Sequence, residues 1–237
     1  RTTLLNPAVR GLTTPRVLRP IRDGWLLPED ERPVFMSGRM HAMPLMVGSN
    51  TDEGTLLTRT WPVDTRVQWQ EQINANFGPL ADEAAAWYPA QTDSDARTAV
   101  AQMFADTQFN YGTRLLAQSM SRLEDRTFKY LFTRRRPGHT DGPHHGEEVA
   151  HAFGNLTTLG DGAHAHIDDW DETLSAVMRK AWVAFASHGN PNVPGAPQWA
   201  AYRAEEDNHL ELGDTVRPGA LWRKNQLDFL DRFFDQD

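Results

Sequence analysis

Two short segments of this 237-residue chain concentrate the side chains that can transfer protons or bind metals. In the first, Val47–Gly54, an apolar run passes into a loop that holds Asp52 and Glu53 side by side. Open α/β sheets place their active sites beyond the carboxyl ends of strands, so both acids are well located for chemistry. Helix capping is an equally good interpretation, because one acid could accept hydrogen bonds from a helix that starts near Thr55.

The second segment, His139–His151, holds four histidines and three acids. A histidine beside a glycine in a loop can present its imidazole to a neighbouring strand end, and its ordinary pKa of about 6.5 suits proton transfer near neutral pH. A solvated polar loop is one alternative. A metal site is another, because two histidine–acid pairs stand four residues apart, the spacing at which side chains share a helix face. These pairs are Glu147 with His151 and His144 with Glu148. The zinc-hydrolase pattern H-E-x-x-H does not occur, which makes a metal the weaker interpretation.

An acid at a strand end and a later histidine are two of the three members of a hydrolytic triad. In α/β-hydrolases the chain order is serine, acid, histidine, and Glu53 followed by His145 obeys the last two steps. The serine should lie upstream, in a G-x-S-x-G turn between a strand and a helix. None of the seven serines has glycine at both second neighbours, and no Gly-Gly pair offers an oxyanion loop. The chain therefore contains an acid and a base without their nucleophile.

Composition narrows the classes of protein further. The chain has 24 Lys+Arg against 32 Asp+Glu, and the resulting net charge of −8 argues against nucleic acid as a partner. The absence of cysteine excludes disulfides, thiolate zinc sites and a cysteine nucleophile. No apolar run approaches the ~18 residues of a membrane span. The chain begins RTTLLNPAVR, without an initiator Met or a signal-peptide pattern, so we expect a processed N-terminus or a piece of a longer protein, cytoplasmic or secreted.

Hydrophobic patterning predicts an α/β protein with few strands and many helices. The predicted strands are Met43–Gly48, buried on both faces as in a parallel sheet, Phe128–Phe132, and the edge-type strand His209–Leu212. The predicted helices are Val67–Phe77, two or three further helices formed by Ala84, Ala85, Trp87 and the residues Thr98–Ser121, then Leu174–Phe185, and a last one from Trp222 to Phe234. Five prolines in the first forty residues predict little regular structure there: Pro7, Pro15, Pro20, Pro28 and Pro33.

Both chemical segments resemble those of a known family. Pro44–Thr55, PLMVGSNTDEGT, resembles the acid-bearing segment of type-B carboxylesterases, which include cholinesterases and bacterial para-nitrobenzyl esterases. His145–Gly154, HGEEVAHAFG, resembles the H-G-x-E…F-G segment of that family. Ile21–Pro28 and Trp182–Asn192, the latter followed by Trp199, match more weakly the family's approach to the acid strand and its late helix. The resemblance covers essentially the whole chain, in the family's order, while the nucleophile elbow and oxyanion glycines are missing.

The resemblance implies a fold and a role. The expected fold class is α/β, the C-terminal portion of an α/β-hydrolase fold with a mostly parallel sheet flanked by helices, and residues 1–237 would form the C-terminal part of one such domain. Glu53 maps onto the triad acid, His145 onto the triad base, and Glu148 onto a supporting acid that orients the His145 loop. The implied activity is serine-dependent hydrolysis of a small carboxylic ester, without cofactor or metal. It would require an N-terminal chain or segment that carries the serine.

Two other functions fit the same residues. One is a non-catalytic, carboxylesterase-like interaction protein, and the other is a metal-dependent hydrolase built on the His139–His151 cluster. The lack of cysteine departs from the disulfide-containing animal cholinesterases and indicates a bacterial-type enzyme. Aromatic side chains between residues 61 and 120 are candidates for a substrate-pocket wall, although core packing is the preferred interpretation for each: Trp61, Trp69, Phe77 and Phe104.

Overall fold

The computed structural model describes residues 23–139, 141–158 and 166–235. Its main elements are, in chain order, α1 (Glu31–Met36), β1 (Leu45–Asn50), α2 (Glu53–Thr58), α3 (Arg66–Phe77), α4 (Ala81–Trp87), α5 (Ala96–Ala105), α6 (Tyr111–Ser121), β2 (Thr127–Phe132), α7 (Glu147–Phe153), α8 (Asp169–His188), β3 (Asn208–Leu212), β4 (Val216–Ala220) and α9 (Lys224–Phe234). A π-helical segment, Asp106–Asn110, joins α5 to α6. Short 3₁₀ turns lie at Gly78–Leu80, Asp93–Asp95 and Leu156–Thr158.

The four strands of the described chain form one mixed sheet in the order β1-β2-β3-β4. β1 and β2 are parallel, and their last residues, Asn50 and Phe132, lie opposite each other. β2 and β3 are also parallel, whereas β4 runs antiparallel to β3. Because parallel strands end at the same edge of a sheet, the segments that follow Asn50 and Phe132 leave the sheet side by side. This topology brings the two chemical segments together.

Two of the strand predictions agree well with the structure in position. The predicted Phe128–Phe132 is confirmed by β2, most of whose residues are buried. The predicted Met43–Gly48 is shifted by two residues, and the expectation that both faces are buried is wrong for this chain. Residues Leu45–Gly48 of β1 are only half-buried. Among the described residues β1 pairs with β2 alone, so one strand edge stays open.

The third strand lies where the sequence predicts it, but its assignment to a sheet edge is wrong. β3, which contains His209–Leu212, lies between β2 and β4. β4 itself is not predicted, because Pro218 and Gly219 both disfavour strands. An outer position in the described sheet accommodates them, since proline is tolerated where its missing N–H has no ladder partner to serve.

Capping residues explain where the longest helix begins and ends. The Asp168 carboxylate accepts hydrogen bonds from the backbone N–H groups of Trp170 and Asp171, at 2.9 and 3.0 Å. α8 ends at Gly189, whose φ of +67° is the left-handed conformation that glycine adopts at low cost. The predicted helices over Val67–Phe77 and Leu174–Phe185 are confirmed by α3 and α8.

The proline-rich start contains one helix that the sequence does not predict. Residues 1–22 lie outside the described residues, but α1 includes Pro33 in its first turn. A proline is tolerated there because the first N–H groups of a helix have no intrahelical partner. The rule that proline excludes a helix applies to helix interiors only.

Two hydrophobic cores position the site. One is formed by the helices between α3 and α6 together with α9, and the other lies between the sheet and α8. The four aromatic candidates for a pocket wall belong to the first core and are each 4% exposed or less, which confirms the core-packing interpretation: Trp61, Trp69, Phe77 and Phe104. Within the described ranges, no helix combines the length and the apolar character needed to cross a bilayer.

Candidate active site

Glu53 stands at the point where β1 turns into α2. The backbone N–H of Asn50 donates to Glu53 Oε1 at 2.7 Å, and the residue is 5% exposed. Behind it, α2 lies against α5 so closely that a Cβ atom on Gly54 would be 1.9 Å from the carbonyl oxygen of Ala101. The helix that carries Glu53 is thus closely packed, and the Asn50 N–H binds Oε1 of the carboxylate while Oε2 faces another partner.

That partner is His145. Its Nδ1 lies 2.6 Å from Glu53 Oε2, although the two residues are 92 positions apart. An ionised carboxylate can only accept hydrogen bonds, so Nδ1 of His145 is the donor to an ionised Glu53, and a neutral imidazole in that tautomer presents Nε2 as its acceptor. The His145 side chain is 47% exposed whereas that of Glu53 is 6% exposed. The pair thus combines a buried acid with an accessible base.

The loop that carries His145 is tied to the end of β1. The backbone N–H of Asp52 donates to the carbonyl of Pro143 at 3.1 Å, and Asp52 forms a parallel β-bridge with His144. After His145, Gly146 takes a φ of +84° and lets α7 start immediately. These contacts fix the imidazole relative to the acid through the backbone.

Asn50 links both sides of the site through its side-chain amide. Its Nδ2 donates to the carbonyl of His144 at 2.7 Å and to Glu148 Oε2 at 2.6 Å. Glu148, which the resemblance implies as a supporting acid, thus contacts Asn50 rather than the imidazole. Sequence reasoning missed Asn50, although its position at the end of an apolar run was a usable signal.

Burial governs the acidity of Glu53. Desolvation raises the pKa of the Glu53 carboxyl above its ordinary value, and hydrogen bonds from the Asn50 N–H and from His145 offset part of that rise. Glu53 in its ionised form is accordingly destabilised by its surroundings and depends on those two donors. An imidazolium at His145 would stabilise it further.

Phe109 contributes a flat apolar surface to the imidazole. Its ring centroid lies 4.5 Å from that of His145, with the planes tilted by 34°. The phenyl group projects from the π-helical segment, whose first residue, Asp106, is fully buried and accepts from Nε of Arg223 at 2.6 Å. π-helical turns often occur at functional sites. No periodicity in the sequence marks such a turn, so this contact was out of reach of sequence reasoning.

The two acid–histidine pairs considered in the weaker, metal-binding interpretation do not form. His151 is fully buried, and its Nε2 lies 3.4 Å from Oδ1 of Asp171 on α8. The same carboxylate oxygen accepts a hydrogen bond from Nε of Arg134 at 2.7 Å. Desolvation lowers the pKa of His151, with partial compensation from Asp171. Glu147 turns instead toward His139 and His144. The histidines of the segment His139–His151 thus form three separate sets of contacts. His145 contacts Glu53, His139 and His144 lie near Glu147, and His151 contacts Asp171.

The helix-capping role considered for the acids is not supported. Asp52 occupies the N-cap position of α2 but makes no side-chain hydrogen bond to the helix amides. Its Oδ2 instead accepts from the Thr51 hydroxyl at 2.8 Å. Asp52 also lines a polar cavity of about 470 Å³ between α2 and α5, which includes Arg59 and Arg135. Glu53 and His145 do not line that cavity.

A buried acid at one strand end thus lies against an accessible imidazole that follows the next strand of the sheet. Residues 8–230 match the model of the carboxylesterase family. This match covers most of the chain, and the chain belongs to that family.

Individual relatives are more distant in sequence. The chain is 35% identical over 212 residues to a fumonisin B1 esterase of Sphingopyxis macrogoltabida, covering 83% of this chain and 37% of that protein. It is 28% identical over 212 residues to the para-nitrobenzyl esterase of Bacillus subtilis strain 168, covering 84% of this chain and 40% of that one. The chain therefore spans about two fifths of the length of these relatives.

Solved structures show the same relationship in three dimensions. A para-nitrobenzyl esterase structure superposes with a TM-score of 0.74 at 28% identity, over 89% of this chain and 43% of the esterase. A thermophilic para-nitrobenzyl esterase gives 0.71 at 26% identity, over 86% and 41%. The fold is that of the α/β-hydrolases, which confirms the predicted class and the mostly parallel sheet flanked by helices.

Proposed function

We propose that this chain is the C-terminal part of a serine carboxylic ester hydrolase and supplies the acid and base of a Ser-Glu-His triad. The observation that carries the proposal is the 2.6 Å contact between Glu53 Oε2 and His145 Nδ1. The second oxygen of Glu53 is occupied by the Asn50 N–H, so the carboxylate is oriented rather than free to rotate. Such an oriented acid fixes the tautomer of the imidazole that acts on the nucleophile.

The roles follow from that geometry. Nε2 of His145 accepts the serine proton while the serine oxygen bonds to the carbonyl carbon of the ester. The same proton is returned to the leaving alcohol as its bond to the acyl carbon breaks, and water then repeats the sequence to release the acid. Glu53 stabilises the transient imidazolium without taking its proton. Asn50 and Glu148 hold the backbone of the His145 loop.

The nucleophile and oxyanion donors come, in this proposal, from an N-terminal chain or segment of the same enzyme. Two observations support this. The chain spans 37% and 40% of the two curated relatives. In addition, β1 keeps one edge unpaired among the described residues, and its apolar residues Leu45–Val47 are only half-buried. A further strand placed against β1 would pair the open edge and would also bury these apolar residues.

The substrate is proposed only as a class, a small carboxylic ester. The relatives include one protein named for fumonisin B1 and another named for para-nitrobenzyl esters. Because much of the pocket would be formed by the N-terminal part, acyl and alcohol preferences are not assigned to residues of this chain.

The test compares the assembled enzyme with variants of two histidines. His145→Ala should lower kcat by about 10³-fold or more, because triad members act as a unit. His41→Ala is the matched control, since His41 is exposed and lies before β1. It should leave kcat within about twofold of the parent, as surface substitutions usually have small effects.

A fluorophosphonate probe separates the alternatives. The assembled enzyme should be labelled once, on a serine outside these 237 residues, and the isolated chain should not be labelled. Saturable ester turnover or a stoichiometric adduct on the isolated chain would contradict the proposal. An assembled protein that neither reacts with the probe nor hydrolyses any ester would support the non-catalytic alternative instead.

A further inference from the structure

A group of metal-ligating side chains lies beside the acid–base pair and takes no part in it. His139, His144 and Glu147 place one imidazole nitrogen or carboxylate oxygen each within 4.8 Å of the others. Glu147 is almost completely buried, and the two imidazoles are 10% and 17% exposed. Three potential metal ligands of low exposure therefore lie together in the loop that carries His145.

The distances are close to those of a coordinated ion. Nδ1 of His139 lies 3.7 Å from Glu147 Oε1, and Nε2 of His144 lies 3.8 Å from Glu147 Oε2. Ligands at about 2.0–2.1 Å from a tetrahedral zinc ion lie roughly 3.4 Å apart. These separations exceed direct hydrogen bonds. To reach the spacing of zinc ligands, each imidazole must approach its carboxylate oxygen by a few tenths of an ångström, and the two imidazole nitrogens must approach each other by up to about 1.4 Å.

Glu147 has other contacts that a metal ion must share. Nε of Arg136 donates to Glu147 Oε1 at 3.1 Å, and the backbone N–H of His144 donates to Oε2 at 3.2 Å. Each carboxylate oxygen has two lone pairs, so one donor on each oxygen leaves a second position for coordination. The same contacts fix the carboxylate in the orientation that faces the imidazoles, as partners of metal ligands commonly do.

We propose that His139, His144 and Glu147 bind one divalent transition metal ion, with zinc as the reference ion, and that the ion stabilises the His139–Glu147 loop. Two imidazoles and one carboxylate suit zinc, cobalt and nickel better than calcium or magnesium. Coordination would connect the first residue of the loop to its last, with His145 directly after one ligand. The ion has a structural role here, and the proton transfers assigned to His145 do not involve it.

Calorimetry with zinc chloride on the purified protein tests the site directly. We expect one equivalent of zinc to bind, and cobalt to give the visible absorption of a nitrogen- and oxygen-ligated ion. His139→Ala and His144→Ala should each weaken zinc binding by about tenfold or more, since even the supporting partners of metal ligands contribute about 10–100-fold. At zinc concentrations a hundred times Kd, the unfolding midpoint of the parent should rise by about 5 °C.

Two controls separate this site from other imidazoles. His145→Ala should leave zinc affinity unchanged, which excludes binding at the Glu53–His145 pair, and so should His41→Ala. Amide exchange in residues 139–147 should slow when zinc is added to the parent, but not in the His139→Ala/His144→Ala double variant. The proposal is wrong if that double variant binds zinc as tightly as the parent, or if His145→Ala abolishes binding. None of these measurements depends on ester hydrolysis.

Discussion

Glu53 and His145 meet because each follows the end of one of two parallel strands that are paired to their last residues. The pairing of Asn50 with Phe132 sets the two strand ends at the same level. The β-bridge between Asp52 and His144 extends this parallel pairing beyond the strands. The 2.6 Å contact is therefore a property of strand register. Side-chain flexibility contributes little to it.

Replacing the acid by its neutral isostere should separate activity from stability. In the assembled enzyme, Glu53→Gln should lower kcat by about 10³–10⁴-fold, because an amide neither fixes the imidazole tautomer nor balances an imidazolium. Since desolvation raises the pKa of Glu53, its ionised form destabilises the fold. The unfolding midpoint of Glu53→Gln at a pH of about 7.5 should consequently equal or exceed that of the parent. Asp52→Asn, the control, should retain most of the turnover.

The contact between Phe109 and His145 predicts a graded effect on catalysis. Phe109→Ala should lower kcat by about tenfold while KM changes little, because the imidazole gains freedom to leave its working orientation. Phe109→Leu keeps an apolar surface and should recover most of the loss. Steady-state kinetics of both variants at matched stability provides the measurement. An unchanged kcat in both variants would indicate that the ring serves the core alone.

Gly54 and Gly112 form a matched pair for stability measurements. A Cβ atom on Gly54 would lie 1.9 Å from the carbonyl oxygen of Ala101, so Gly54→Ala forces α2 away from α5 and should cost about 3 kcal/mol or more. Gly112 lies in α6, where an added methyl group would meet no neighbouring atom within 4 Å, and Gly112→Ala should stabilise by about 0.5–1 kcal/mol. Denaturant unfolding of both variants tests the difference in sign.

His151 should contribute to a loss of stability in mild acid. Burial lowers its pKa in the folded protein, so below about pH 6.5 the unfolded chain binds more protons than the folded one. The stability that His151 provides is complete above the unfolded pKa and is lost as the pH falls through the folded value. The free energy of unfolding should fall less between about pH 7.5 and 5.5 in His151→Gln than in the parent. A titration of the His151 ring by NMR with a midpoint above about 6.5 would contradict this.

Local patterns were sufficient to predict most of the elements. The apolar run before Gly48, the run Phe128–Phe132 and the stripe along α8 each have a period, a terminator or both in the sequence. The order of acid and histidine and the strand-end placement fitted Glu53 and His145, and the family resemblance implied these two rather than their neighbours. The strands and helices could be predicted because strand ends and helix caps depend mainly on residues that are neighbours in the sequence.

The remaining features depend on contacts between distant residues. β4 contains Pro218 and Gly219, which only the context of an outer strand makes acceptable. The π-helical segment that carries Phe109 begins at Asp106, which forms an ion pair with Arg223, a residue 117 positions away in the sequence. Helical spacing offered His151 as one possible partner of Glu147, but the helix starts at Glu147 itself and the partners of Glu147 lie in the preceding loop.

The register of β1 and β2 also limits how this part of the chain can change in length during evolution. A residue inserted into either strand would turn every later side chain to the opposite face of the sheet and separate the acid from the base. The stretch between Pro137 and Asp141 carries no strand pairing in the described structure, so extra residues there can be absorbed locally. In an alignment of relatives, gaps should therefore collect between positions 137 and 141 and be rare between 45 and 53.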